Sequence, residues 1–160
     1  MSDRIYSVFR RAVKPSIDAF RASAFLGVDE VLCPVTGLWV KTAEAHVDHE
    51  PPWTFLAILR EYLRQTGREL IDVKIKSTGT YPVFEDPAEH FRWVTFHDAA
   101  AHLRVVHWRA NLSEIKKMKT DVVPTWPEVK NWTVKESDLS VGDARAPWNQ
   151  TRDPFAAFEE

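Results

Sequence analysis

The sequence predicts one α+β domain followed by an extended arm, on three observations. Apolar residues recur at spacings of three and four in several stretches, the mark of amphipathic helices. Short alternating or β-branched runs lie between them and suit strands. Glycine and proline punctuate most boundaries. The 160 residues are enough for a single real core.

In order, residues 4–26 read as a helix, because Phe9, Val13, Ile17, Phe20 and Ala24 fall on one stripe. Pro15 interrupts that stripe and should kink or divide the helix, since it lacks an N–H and clashes with the preceding turn. Gly27 ends it. "EVLCPVTGLWV", residues 30–40, reads as a strand, a turn at Pro34–Gly37 and a return strand. "EAHVDH" is a short strand that stops at Pro51. Pro52 and Thr54 open a helix through about Gln65, with Phe55, Leu56, Leu59 and Leu63 as its buried stripe and Gly67 as its stop. "LIDVKIK", from Leu70, alternates as a half-exposed strand, and "STGTYP" is a turn. Asp86-Pro87 starts a helix through about Ala101, with Phe91, Val94 and His97 or Asp98 on its period. "HLRVVH" is a strand, and Asn111 to Lys119 a helix.

Domain boundaries follow. Residues 1–123 read as one unit that begins with the helix 4–26. Residues 124–160 hold four of the ten prolines and three tryptophans. They read as an arm lying on the domain, ending in a tail.

Composition excludes several classes. Apolar content of 44% and charged content of 28% are ordinary for a globular chain. No apolar run approaches the roughly 20 residues of a membrane helix, and the opening residues carry no signal-peptide stretch. The single cysteine, Cys33, forms no internal disulfide. A cytoplasmic location and no membrane partner are the expectation. A net charge of −2 means that nucleic acid would be held by a local patch rather than bulk charge. The candidates are Lys116, Lys117 and Lys119, with Arg104 nearby, and a second run of Arg10, Arg11, Lys14 and Arg21. Either run alone is also what a solvated helix face looks like.

All six histidines fall between His46 and His107. His46 and His49 flank Asp48, just before Pro51-Pro52. A carboxylate is a hard ligand for a divalent cation, and a neutral imidazole beside it can take a proton from water. Such a pair hydrolyses phosphodiesters if a later element supplies a second ligand. Asn111, opening the helix after "HLRVVHWRA", can offer a carbonyl oxygen.

"VDH" before proline, and later a strand leading to Asn and Lys, resemble the HNH endonuclease family, whose fold is the ββα-metal or His-Me finger unit. "CPVTG", "HVDHEPPWTF" and "FHDAAAHLR" add to the likeness with phage and bacterial members. The resemblance covers about residues 30–118, and implies a motif core of 30–49 and 102–118 with an inserted helix-strand-helix segment at 50–101. It implies Asp48 and Asn111 as ligands of one divalent cation, Mg²⁺ or Mn²⁺, and His49 as general base. His102 occupies the position of the family's middle Asn, which braces the catalytic loop. The chain departs from the pattern there, in the length of the insertion, and in the zinc knuckles. "CPVT" keeps only Cys33, with Thr36 in place of the second thiol, and "HWRA" has His107 and Ala110. Two ligands do not make a structural zinc site, so none is expected. Val35, Val105, Val106 and Trp108 are expected to pack in its place.

Plainer readings accompany each residue. Asp48 and His49 could be a strand-end polar pair. Asn111 could be a helix N-cap, and His46, which shares a strand face with Asp48, a further ligand or a surface residue. His97 could be a satisfied core histidine or a phosphate contact. Trp53, Trp93 and Trp108 read as core more than as base-stacking platforms. The resemblance implies a metal-dependent DNA endonuclease of a phage, mobile-element or defence setting, with double-stranded DNA as partner. It would nick as a monomer or break both strands as a dimer. The alternative is an HNH-like module without catalysis that binds nucleic acid or protein, with Trp148, Phe155 and Phe158 of the tail as anchors for a protein partner. A weaker idea is an inhibitor or adaptor whose acidic end mimics nucleic acid.

Overall fold

The computed structural model describes residues 2–112 and 121–129. It is a mixed α+β arrangement. In chain order it runs α1 (Ser2–Ala24), β1 (Glu30–Leu32), β2 (Trp39–Lys41), β3 (Ala45–His49), α2 (Phe55–Thr66), β4 (Ile75–Thr78), β5 (Tyr81–Phe84), α3 (Pro87–Ala100), β6 (Leu103–His107) and α4 (Trp108–Asn111). The described strands form three antiparallel pairs: β1 with β2, β3 with β6, and β4 with β5.

Helix α1 is continuous through Pro15, so the expected division does not occur. Proline removes the bond to the carbonyl of Arg11 and costs about 3 kcal/mol in a helix interior. Burial on both sides of it offsets that. The first half buries Ile5, Val8, Phe9, Ala12 and Val13 in a large apolar cluster, and Phe20 and Ala24 pack on a smaller one.

Thr54 caps α2 by accepting from the Ala57 N–H at 3.3 Å. The helix ends at Gly67, whose φ of 64° only glycine adopts without strain. The N–H groups of Gly67 and Arg68 return to Arg64 and Leu63 carbonyls, a Schellman closure. The buried face differs from the expected stripe. Phe55, Ile58, Leu59 and Tyr62 are buried, while Leu56 is 41% exposed. The face turns because Tyr62 enters the core with its hydroxyl donating to Glu89 at 2.7 Å, which satisfies its polar end.

"LIDVKIK" does not run as one strand. Leu70–Asp72 is a 3₁₀ turn, closed by the Glu69 N–H donating to Asp72 Oδ2 at 2.8 Å. Side chains that bond nearby backbone compete with strand ladders in this way. The strand begins at Ile75, and "STGTYP" holds the turn and the return strand β5. Helix α3 is capped by Asp86, which accepts from the Ala88 N–H at 2.9 Å. Its buried residues are Glu89, Trp93, Phe96, His97 and Ala100; Phe91 and Val94 are half-buried and Asp98 is exposed. The expected stripe was displaced because Trp93, the bulkiest side chain there, takes the centre of the core.

Helix α4 spans Trp108–Asn111, and its cap is His107, whose Nδ1 accepts from the Arg109 N–H at 3.1 Å; residues 113–119 of the helix expected from Asn111 lie outside the described residues. Asn111 is therefore not an N-cap. Trp108 is 38% exposed and lies outside the small cluster that it was expected to join. Residues 121–129 have no regular structure, and Trp126 and Val129 pack on the large cluster. Gln65 of α2 donates to the Pro127 carbonyl and accepts from the Val129 N–H. Residues 131–160, with the tail anchors Trp148, Phe155 and Phe158, lie outside the described residues. Among the described residues no helix is long and apolar enough to cross a membrane.

Candidate active site

The site is built on the β3–β6 pair. The strands run antiparallel with Asp48 opposite Arg104 and His49 opposite Leu103. One further bond extends the ladder, from the Glu50 N–H to the His102 carbonyl at 2.8 Å. Successive side chains of a strand alternate between faces. His46 and Asp48 thus share one face of β3, and His49 points to the other.

On the first face, the Arg104 guanidinium donates from Nε and Nη2 to Asp48 Oδ2 at 3.2 and 3.0 Å. Asp48 is only 5% exposed, so a buried carboxylate is charge-paired directly across the ladder. Arg104 faces the candidate metal-binding acid and is not presented as an outward surface cation. Asn111, the last residue of α4, donates from Nδ2 to His46 Nδ1 at 3.1 Å. The tertiary fold thus brings residues 65 positions apart into contact, on the face that also carries Asp48.

On the second face, the His49 ring lies edge-on to Phe55 and to His97, with centroids 5.8 and 5.2 Å apart. Its Nε2 is 2.8 Å from Nε2 of His97. His97 is completely buried, and its Nδ1 lies 3.0 Å from Asp98 Oδ1. The Ser16 hydroxyl donates to Asp98 Oδ2 at 2.8 Å. His97 is thus a satisfied core histidine and also a neighbour of the candidate base. Its adjacency to Asp98 was a usable signal. Ser16, on α1, carried none.

His102 braces the end of β3 through its carbonyl rather than its ring. The exposed ring stacks on Trp53 with centroids 3.8 Å apart. Trp93 is fully buried, and its indole N–H donates to the Phe9 carbonyl at 2.9 Å.

The remnant knuckle positions also meet. The His107 N–H donates to Cys33 Sγ at 3.4 Å. Burial works to raise the Cys33 thiol, but hydrogen bonds from the Thr36 hydroxyl and from the backbone of His107, Thr36 and Val35 outweigh it and lower the thiol below its ordinary value. Around it Val40, Ala45, Val105 and Val106 are buried, with Val35 packed against them.

Of the basic residues near the start, Arg10 lies over the Phe55 ring and Arg11 over the Tyr81 ring. Lys14 pairs with Asp18, and Arg21 donates to the Thr42 carbonyl. The run is folded onto its own domain rather than arrayed as a patch. Lys116, Lys117 and Lys119 lie outside the described residues.

Among the described residues no three His, Cys, Asp or Glu side chains are gathered to hold a metal ion. An ion here would rely on a mixed set. The carboxylate of Asp48 and the carboxamide oxygen of Asn111 are hard oxygen donors of the chemical kind that suits Mg²⁺ or Mn²⁺, with Arg104 already bonded to Asp48 Oδ2. Against known proteins, the chain matches no family model, no curated protein and no solved structure.

Proposed function

We propose that this chain is a metal-dependent endonuclease of HNH type that hydrolyses DNA phosphodiester bonds, with β3, β6 and α4 as an HNH-like ββα core. One observation carries the reading. The β3–β6 pairing and the turn into α4 bring Asn111 against His46, on the Asp48 face of β3, and His49 follows Asp48 at the strand end on the opposite face. In this reading His49 takes a proton from water as its oxygen attacks phosphorus, and the bond from phosphorus to the leaving sugar oxygen breaks. Asp48 and Asn111 would hold one Mg²⁺ or Mn²⁺, which when bound offsets charge on the phosphoryl group. His102 and Trp53 fix the loop that follows His49. A single site of this kind cuts one strand.

The ion pair of Asp48 with Arg104 favours a second reading, a module with the same shape and no catalysis. A guanidinium on a buried carboxylate competes with a cation for the same charge.

Supercoiled plasmid incubated with Mg²⁺ or Mn²⁺ separates the two. The nuclease reading expects metal-dependent nicking, lowered roughly 10²–10⁴-fold in His49→Ala, the usual contribution of a general base. A variant as active as its parent would reject His49 as the base. Retained DNA binding with no nicking under either metal would leave the module.

A further inference from the structure

The hairpin of β1 and β2 has two unlike faces. On the inner face Val40 is buried in the smaller apolar cluster, and Val31 packs against it. The outer face carries two rows across the ladder, Glu30 opposite Lys41 and Leu32 opposite Trp39. All four are exposed, Leu32 at 48% and Trp39 at 65%. We propose that this outer face is a self-association surface whose occupant is a second copy of the chain. None of the four belongs to the candidate site, and association needs no DNA, so the proposal is independent of the nuclease reading.

The pattern on the face is self-complementary. A symmetric dimer presents the same patch on both subunits, so each residue must find its match on the patch of the other copy. A twofold axis along the strands, between β1 and β2, lays β1 of each copy over β2 of the other. Glu30 then meets Lys41 of the second copy, and Leu32 meets Trp39 of the second copy. Symmetry repeats each contact. An axis across the strands, between the two rows, would instead set every apolar residue on a charge. Facing sheets sit roughly 10 Å apart, a gap that side chains of this size fill from both sides.

The charges also favour a second copy over an acidic or a basic partner. An anion and a cation stand at opposite ends of one row, so a partner of single sign would meet a like charge at one of them. Asp29 borders the same surface depression, of about 660 Å³, with Glu30, Trp39 and Lys41. It neighbours Glu30 and adds to the negative charge that Lys41 of the second copy meets. Packing of Leu32 on Trp39 within one chain does not account for the apolar row, because it leaves most of Trp39 in water. Tryptophan is enriched among the residues that anchor interfaces. The face is small beside the roughly 800 Å² per partner of a standard interface, so the dimer is weak and reversible.

Sedimentation velocity on the full chain, from about 10 µM to about 1 mM, reads an affinity of that order. The parent is expected to pass from monomer to dimer as concentration rises. Trp39→Ala should raise the dissociation constant roughly 30-fold or more, as loss of an anchoring tryptophan does. Glu30→Lys and Lys41→Glu should each stay monomeric, because every charge contact between copies then sets like on like. An equimolar mixture of these two variants should associate again, since the two cations of one then face the two anions of the other. All three substitutions lie at exposed positions and leave the core alone, and near-UV circular dichroism matching the parent's checks that each variant is folded. A parent that is monomeric throughout overturns the inference and leaves the face to another occupant. It is equally overturned by a dimer that Trp39→Ala leaves intact, by charge variants that dimerise alone as the parent does, or by folded charge variants that fail to associate when mixed.

Discussion

The two apolar clusters of this chain are built from different side chains and hold different halves of the site. The larger one is aromatic. Phe9 meets Phe84 and Trp93 edge-on at 4.9 and 5.1 Å, and Tyr62 meets Trp93 at 5.3 Å. It joins α1, α2, α3 and β5, and His97 is embedded at its margin. The smaller one is aliphatic: Val40, Ala45, Val105 and Val106 around Cys33, with Phe20 and Phe25 only partly buried beside them. It underlies the β3–β6 pair and thus the backbone of Asp48. The contrast teaches that His49 and Asp48 are anchored separately. His49 leans on the aromatic cluster through Phe55 and His97, whereas Asp48 is held by a strand pair over a thin layer of valines and by Arg104.

Trp93→Ala should have the largest effect, about 3–5 kcal/mol of stability in urea unfolding, because it empties the centre of the aromatic core and removes the indole's hydrogen bond to the Phe9 carbonyl. Glu89→Gln should come next, at about 2–3 kcal/mol. Its buried carboxylate accepts from Tyr62, Arg68 and Arg92 at 2.7, 2.6 and 3.1 Å.

Glu89 also has a pH signature. Burial alone would raise its carboxyl, but hydrogen bonds from Arg68 and Tyr62 and the Arg68 charge hold it below the ordinary glutamate range. A folded value below the unfolded one gives stability that is present above the unfolded value. That stability is lost as pH falls from about 4 through the lowered value. The Tm of the parent should therefore drop over that acid window, and Glu89→Gln should flatten the drop.

Val106→Ala, in the thin cluster, should cost about 2 kcal/mol. A loss equal to that of Trp93→Ala would erase the distinction between the clusters. The smallest expected effect is none: a zinc chelator should leave Tm unchanged, because Thr36 and Ala110 offer no thiols beside Cys33 and His107. A fall in Tm would show that a metal, not the valines, holds this end of the fold.

Much of the fold was legible in local chemistry. Thr54 and Asp86 as caps, Gly67 as a stop, and the strands around Val47 and Val105 act within a few residues. The exceptions had two sources, a distant partner for a helix face and a competing local bond for a strand. The face of α2 turned because Tyr62 meets Glu89 from α3. The strand expected from Leu70 became a turn because Glu69 and Asp72 bond each other's backbone first. At the site, the sequence marked Asp48, His49 and Asn111. It did not show that Arg104 would sit on Asp48, or that Asn111 would meet His46.

By itself the sequence determined most element types, many boundaries and the polarity of the β3 end, because periodicity, caps and turn residues act through nearest neighbours in the chain. Tertiary structure decided the rest: which strand pairs with β3, which face of each helix is buried, and which histidine contacts His49. Those outcomes depend on shape and hydrogen-bond partners brought together from remote parts of the chain, and no local pattern encodes the partner.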